Sequence, residues 1–146
     1  MGAYRFRIQI DASPEQVFAL WINLERAPEW IGGLTKITDL TGPLDQVGAR
    51  YTAWFGRMRS PTEVLEVDRP RFIRSRFGNT LLRGETSVSF EPADTGTRLT
   101  QTFRTQGIIP AIAGRVFATG SYKGSFRGEL AEFGRIAERD ARSRAA

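Results

Sequence analysis

The sequence contains no cysteine and no histidine. Without cysteine there is no disulfide, no thiolate nucleophile and no thiolate metal site. Without histidine the chain lacks the usual general base near neutral pH and the commonest metal ligand. A Ser-His-Asp triad and a histidine-based zinc site are therefore excluded. The acidic residues show no cluster with the spacing of a carboxylate metal site, so we expect neither a metal nor a cofactor.

Long hydrophobic runs are also missing. No apolar stretch reaches the roughly 18 residues that a membrane-spanning helix needs. Residues 1–11 alternate in polarity and lack the continuous apolar core of a secretory signal. Together with the absence of cysteine, these features predict a cytoplasmic protein without a membrane span. The length of 146 residues fits one domain, 1–146, with a single hydrophobic core.

Charge is only moderately unbalanced, because 21 Lys and Arg stand against 16 Asp and Glu and give a net charge of +5. The arginines are dispersed, and many alternate with apolar residues, as Arg5 and Arg7 do. This pattern is typical of the solvated face of a strand, although a weak attraction for anionic ligands is the alternative. The sequence has neither a zinc finger nor the aromatic signature of an RNA-binding sheet, so we expect no nucleic-acid partner.

The most informative stretch is residues 10–21, IDASPEQVFALW, in which an alternating strand leads into a helix. Ser13 stands at the N-cap position and Pro14 at the first helical position. Gln16 lies three residues after the cap, which completes the pattern of a capping box. The sequence therefore predicts a helix over about 14–22, directly after a first strand.

The rest of the chain alternates in short segments until a final helical pattern. A second short helix is predicted over about 25–30. Alternation and turn signals predict strands at about 4–10, 34–41, 49–55, 61–68, 71–78, 82–91 and 97–105. The short turns between the later strands indicate an antiparallel meander. After a break at 107–110, apolar residues repeat at about 100° per residue and predict a long helix to about residue 141.

This order predicts an α+β fold. A curved seven-stranded antiparallel sheet has one apolar face that needs a cover, and the C-terminal helix is the element long enough to provide it. We therefore expect the sheet to wrap around that helix, with two short helices after strand 1 and a pocket between sheet and helix.

Four segments stand in a recognisable order ahead of the final helix: IDASPEQVF (10–18), PEW (28–30), VGAR (47–50) and VLEVDRPR (64–71). With these segments and the final helix, the whole chain resembles the START-like (SRPBCC) superfamily with its helix-grip fold, and most closely the polyketide cyclase/dehydrase branch. The resemblance covers about residues 4–140. It implies an apolar or amphipathic small-molecule cavity under the C-terminal helix, and it implies no particular reaction.

Candidate ligand-binding residues are those expected to face this cavity. The resemblance places Trp30 at the pocket mouth. The others share strand faces turned toward the helix, or lie on or beside the apolar stripe of the helix itself: Tyr51, Phe55, Gln101, Phe103, Thr119, Tyr122 and Lys123. Core packing is the alternative for the aromatic residues. It is the favoured interpretation for Trp21, Phe77 and Phe103.

Two polar candidates stand on otherwise apolar faces. A buried Gln101 amide needs a hydrogen-bonding partner, which is either a protein neighbour or a ligand. Lys123 lies on the apolar side of the final helix. Its ammonium either extends to solvent along a packed stem, or faces the cavity, where it would hold an acidic ligand group.

The sequence predicts a protein that binds a hydrophobic or amphipathic small molecule, which is lipid-, aromatic- or polyketide-like. One alternative is a metal-independent cyclase or dehydratase, a lyase or isomerase, that uses the same cavity. Its acid–base groups would be Tyr51, Lys123, Glu85 or Arg76. A second alternative is an interaction module whose pocket is vestigial.

A ridge of glycines lies on the final helix, away from its apolar stripe, at Gly120, Gly124 and Gly128. Each glycine costs about 1 kcal/mol relative to alanine inside a helix, so the ridge calls for an explanation. Close approach of another element, or of a second subunit in a homodimer, is one explanation. Helix pliability during ligand entry, or a local bend without a role, are the others.

Overall fold

The computed structural model describes residues 2–78, 82–107 and 125–145. Within these residues, strand β1 (Gly2–Ile10) leads to helix α1 (Pro14–Trp21) and then to a 3-10 helix (Ala27–Glu29). The later elements are β2 (Lys36–Thr38), β3 (Arg50–Phe55), β4 (Met58–Asp68), β5 (Phe72–Gly78), β6 (Leu82–Ala93), β7 (Gly96–Gly107) and helix α2 (Ser125–Ala145). This element order confirms the predicted α+β architecture.

The seven strands of the described chain form one antiparallel sheet in the order β1-β7-β6-β5-β4-β3-β2. Strands β2 to β7 are a meander, as the short turns predicted. β1 closes the order by pairing with the last strand, from Gly2 opposite Thr105 to Ile10 opposite Thr97. The predicted helix-grip arrangement is thus present, with α1 and the 3-10 helix inserted between β1 and β2.

The capping box is present as predicted. Ser13 Oγ accepts the Gln16 backbone N–H at 3.2 Å, and Gln16 Oε1 accepts the Ser13 N–H at 3.1 Å. Pro14 occupies the first turn, where its missing N–H leaves no hydrogen bond unmade. Val17 and Phe18 then point inward and are fully buried. The cap therefore positions a helix that covers one end of the sheet.

Two of the shorter elements differ from their predicted lengths. The expected helix over 25–30 is a single 3-10 turn, Ala27–Glu29. The expected strand over 34–41 is only Lys36–Thr38, because the next residue, Asp39, has φ of 60° and leaves the extended conformation.

Helix α2 packs its apolar stripe on the sheet, with Leu130, Phe133 and Ala137 buried as the periodicity predicted. Gly134 lies against β1 so closely that an added Cβ would be 2.9 Å from Ile8 Cδ1. The helix continues to Ala145, past the predicted end at about 141. Its last turn carries Arg142 and Arg144, whose positive charges interact favourably with the negative end of the helix dipole.

The outer face of the sheet carries arginines, as the alternating pattern predicted, and several of them form ion pairs. Arg74 contacts Glu85 at 2.7 Å and Glu66 at 3.3 Å, and Arg76 contacts Glu63 at 2.6 Å. Arg76 and Glu85 therefore lie on the sheet face opposite to the helix. This corrects their consideration as acid–base groups of a pocket, because the period of two along each strand turns them outward.

In the part of the chain that the structure describes, no helix combines the length and hydropathy needed to cross a membrane.

Candidate functional site

A cavity of about 230 Å³ lies between the inner face of the sheet, helix α2 and the segment that follows α1. The segment between α1 and β2 supplies mostly large apolar side chains, among them Ile22, Leu24, Ile31 and Leu34. Strands β3 to β7 supply the floor, and α2 supplies Leu130 and Glu129 on the opposite wall. The cavity is therefore a mainly apolar container with a small number of polar groups, the usual composition of a small-molecule site.

Trp30 is both a packing residue and a wall of the cavity. Its side chain is buried, and its ring meets Phe133 of α2 edge-on, with centroids 5.0 Å apart. Trp21 also meets Phe133 edge-on, at 5.1 Å, and reaches the cavity. Phe133 thus contacts two indoles, and these contacts help to hold α2 over the sheet. Core packing and pocket lining, posed as alternatives for Trp30, occur together.

Tyr51 and Phe55 face the cavity from β3, with Ala53 between them on the same face, as the strand alternation predicted. Burial raises the pKa of the Tyr51 phenol, and a hydrogen bond with the Thr62 side chain partly opposes this shift. Tyr51 is therefore protonated at neutral pH and can donate a hydrogen bond.

Gln101 and Phe103 are buried on β7 and also line the cavity. Phe103 meets Phe6 and Phe77 edge-on, at centroid distances of 6.3 Å and 6.2 Å. The packing favoured for Phe103 and Phe77 is therefore present, and both rings contribute to the wall as well.

Three of the predicted ligand-binding residues, Thr119, Tyr122 and Lys123, lie outside the described residues, so their roles stay predictions. Of the glycine ridge only Gly128 is described, and it is exposed on α2. The homodimer contact likewise stays a prediction.

Glu129 is the site residue that the sequence interpretation missed. It lies near the start of the described part of α2 and lines the apolar cavity, where its Oε2 accepts the Gly32 backbone N–H at 3.0 Å. Burial raises the pKa of this carboxyl to about 7, against the smaller lowering effect of the Gly32 hydrogen bond. At neutral pH the carboxylic acid and the carboxylate are both well populated.

A signal for Glu129 was present in the spacing of the final helix. Glu129 lies three residues after Phe126 and four before Phe133, so it shares a helical face with the apolar stripe. The same periodicity predicts Lys123 on the apolar side of the final helix.

The charged groups of the cavity are few. Arg59 on β4 lines it from an exposed position, while Glu129 is the acidic group among the described lining residues. Within the described chain no three acidic side chains come together as a metal site would require. The arrangement can enclose an apolar molecule, offer it a few neutral hydrogen-bonding groups and exchange a proton at one carboxyl.

Comparison with known proteins gives a family and a fold. Residues 1–138 match the family described as polyketide cyclase / dehydrase and lipid transport. No curated protein matches the chain.

Several solved structures share the fold. A Helicobacter pylori protein is similar with a TM-score of 0.71 and 12% identity, over 92% of this chain and 86% of that one. A Geobacillus kaustophilus protein has a TM-score of 0.70 and 16% identity, over 94% and 96% of the two chains. A protein of the dynemicin biosynthetic locus, DynU16, has a TM-score of 0.68 and 16% identity, over 95% of this chain and 48% of that one.

Proposed function

The chain belongs to the polyketide cyclase/dehydrase and lipid transport family, and from this premise we propose that it binds a hydrophobic or amphipathic small molecule. The ligand is lipid-, aromatic- or polyketide-like and occupies the cavity between the sheet and α2. The observation that carries the proposal is the cavity itself, about 230 Å³ with mainly apolar walls. The similar structures support the fold that encloses the cavity, and they do not identify the ligand.

The small size of the cavity limits the binding free energy that apolar contact can supply. An aromatic group the size of a Phe, Tyr or Trp side chain buries about 150–250 Å². At about 25 cal/mol per Å² this burial gives about 4–6 kcal/mol, close to the lower end of the entropic cost of association. Apolar contact alone therefore supports weak binding, and useful affinity needs the polar groups of the cavity as well.

A titration with the neutral fluorophore N-phenyl-1-naphthylamine tests the proposal. The wild-type protein should bind it saturably. Ala53→Phe should abolish binding, because Ala53 is a buried residue of the cavity floor and the new ring would occupy the space. The matched control is Ala3→Phe, at an exposed position of β1, which should bind as the wild type does. Equal binding by both variants would refute occupation of this cavity.

Native mass spectrometry of protein purified from its own host addresses the natural ligand. We expect a mass increment that remains in the folded protein and disappears on denaturation. The increment should be absent from Ala53→Phe purified in the same way.

A second candidate function is a cyclase or dehydratase that uses the same cavity, and the position of Glu129 favours it. A carboxyl with a pKa of about 7 can both donate and accept a proton at neutral pH. General acid–base catalysis requires such a group. The protonated Tyr51 phenol is a second donor on the facing strand. In this function Glu129 would transfer a proton to or from the substrate. The apolar walls would exclude water and hold the substrate in a folded conformation.

Turnover of a poly-β-ketone substrate tests the catalytic candidate. Glu129→Gln should lower kcat strongly while leaving binding of N-phenyl-1-naphthylamine intact, and the wild-type pH profile should bend near 7. Turnover by Glu129→Gln at the wild-type rate would exclude this carboxyl as the proton-transfer group.

Two sequence expectations remain proposals. Fractionation of host cells would test the cytoplasmic location. Light scattering of Gly124→Leu, which should convert a dimer to a monomer, would test the homodimer contact.

A further inference from the structure

Polar side chains cross the floor of the otherwise apolar cavity. Gln101 on β7, Thr86 on β6 and Ser75 on β5 all line it, from three adjacent strands. Thr86 lies directly opposite Ser75, and Gln101 lies opposite Val88, which follows Thr86 on the same face of β6. The three side chains therefore form one continuous row across the three strands, called here the polar row.

Strand geometry sets the spacing within the polar row. Side chains directly opposite each other have Cβ atoms about 4.5–5.5 Å apart, and diagonal neighbours are about 7–8 Å apart. Ser75 and Thr86 are a pair of the first kind, and Thr86 and Gln101 are a pair of the second. The row thus extends over about 12 Å between the Cβ atoms of Ser75 and Gln101, so a ligand of two fused aromatic rings covers part of it.

The protein leaves the hydrogen-bonding capacity of the polar row unused. Thr86 Oγ1 is buried and has no hydrogen-bonding partner. Gln101 and Ser75 are buried, at 7% and 9% exposed as whole residues, and no hydrogen bond found within the described residues joins either side chain to a protein group. Farther along the floor the situation differs, because Thr62 and Tyr51 bond to each other. Buried polar groups are nearly always paired, so three unpaired groups in one row of a cavity call for a partner inside it.

We propose that the polar row binds neutral oxygen groups, hydroxyl or carbonyl, along one edge of the ligand. The cavity would thereby select an oxygenated ring system over an unsubstituted hydrocarbon of the same shape. This inference rests on the proposed binding function and specifies the ligand class for it.

The chemistry of the row suits such groups. The Gln101 amide both donates and accepts, and the Ser75 and Thr86 hydroxyls do so as well. All three are uncharged, so they offer a charged ligand group no counter-ion. Thr86 Oγ1 has no accessible surface in the present rotamer, and it reaches the cavity when rotation about χ1 exchanges its oxygen with its methyl group. A hydrocarbon edge over the row would leave all three groups unpaired and cut off from water.

Calorimetric titration of the full chain with two matched probes, naphthalene and 2,6-dihydroxynaphthalene, tests the inference. The wild-type protein should bind the dihydroxy compound about 10-fold or more tightly than naphthalene. Thr86→Val and Ser75→Ala should each reduce this preference about 3- to 10-fold, the range expected for one neutral hydrogen bond. Their affinity for naphthalene should stay the same or increase.

Thr102→Val is the matched control. Thr102 lies on β7 between Gln101 and Phe103 and faces the other side of the sheet, so its variant should keep the wild-type preference. Both Thr86→Val and Ser75→Ala conserve or reduce side-chain volume, and thermal melting of each variant checks the fold. If one variant fails to fold, the other still tests the row.

The outcomes separate this inference from the proposed function. Binding of naphthalene with no preference for the dihydroxy compound would overturn the polar row and leave the apolar binding function standing. A preference that survives in both Thr86→Val and Ser75→Ala would also overturn the row. Failure of the wild type to bind either probe would overturn the binding function, and the polar row with it.

Discussion

The Gly32 backbone N–H donates a hydrogen bond to Oε2 of Glu129 across 3.0 Å. It joins the segment after the 3-10 helix to helix α2 and holds a carboxyl at the wall of an apolar cavity. A side chain at position 32 would disturb this contact, because an added Cβ would lie 3.3 Å from the same oxygen. The absence of a side chain at Gly32 thus permits the closest approach of the loop to the acidic group.

Glu129→Gln should remove a pH dependence of stability. The ordinary pKa of a glutamate, 4.5, applies to the unfolded chain, and burial raises the folded value to about 7. Between these two values the folded protein retains a proton that the unfolded chain has released, so the free energy of unfolding falls as the pH rises through this window. Gln cannot ionise. The variant should therefore match the wild type near pH 4 and exceed its stability at pH 8 by at most about 3 kcal/mol.

Urea denaturation at pH 4, 6 and 8 measures this difference. The matched control is Glu132→Gln, three residues farther along α2, whose carboxylate pairs with Arg135 at the helix surface. This control should follow the wild-type pH dependence. If the stability difference between Glu129→Gln and the wild type were the same at all three pH values, the Glu129 carboxyl would not be the group that titrates.

Phe133→Ala should destabilise the fold by about 3–5 kcal/mol. The Phe133 ring is fully buried and contacts the indoles of Trp21 and Trp30, so its loss leaves a void that neither rigid ring can fill. Guanidinium denaturation followed by tryptophan fluorescence measures the change. Phe55→Ala provides the comparison, because Phe55 is half-buried at the wall of an existing cavity and should cost clearly less. Equal losses in the two variants would contradict the role given to Phe133.

The fold could be predicted because its signals are local and repeated. Ser13, Pro14 and Gln16 specify one helix start within four residues, and each strand carries its own alternation. The inward positions of Tyr51 and Gln101 followed from the same alternation, because a period of two assigns every residue to a face once one buried neighbour is known.

The character of the cavity could be predicted only in part. Burial raises the pKa of Glu129, and the smaller opposing effect is the hydrogen bond from Gly32, which lies 97 residues away along the chain. Both effects arise only when α2 is packed over the loop. The Thr86 hydroxyl is unpaired because the residues on the two adjacent strands supply no hydrogen-bonding partner for it. Such properties arise from tertiary neighbours, and no periodicity along the chain encodes them.

Ser13→Ala should cost about 1 kcal/mol of stability. The substitution removes the oxygen that accepts the Gln16 N–H, and it leaves that donor at the start of α1 without its cap. Ser13→Asp keeps an acceptor at the same position and should retain most of the stability. The midpoints of urea denaturation at pH 7 compare the two variants. A loss as large in Ser13→Asp as in Ser13→Ala would mean that the cap hydrogen bond is not the stabilising feature.

Gly134→Val should destabilise the contact between α2 and β1, and a second substitution should relieve it. A Cβ at position 134 would lie 2.9 Å from Ile8 Cδ1 and 3.6 Å from Ile10 Cγ1, so the larger side chain overpacks the interface by about 1–3 kcal/mol. Ile8→Ala removes the atom met first. The double variant should therefore lose less free energy of unfolding than the sum of the losses in the two single variants, by at least about 0.5 kcal/mol.

Denaturation of the wild type, both single variants and the double variant completes this thermodynamic cycle. Ile10→Ala combined with Gly134→Val is the less favourable rescue, because Ile10 is fully buried and its atoms lie farther from the new Cβ. The relief should be greater with Ile8→Ala, since only Ile8 has an atom within 3.0 Å of the Cβ position. Strict additivity of Gly134→Val and Ile8→Ala would show that helix α2 escapes the clash by shifting on the sheet.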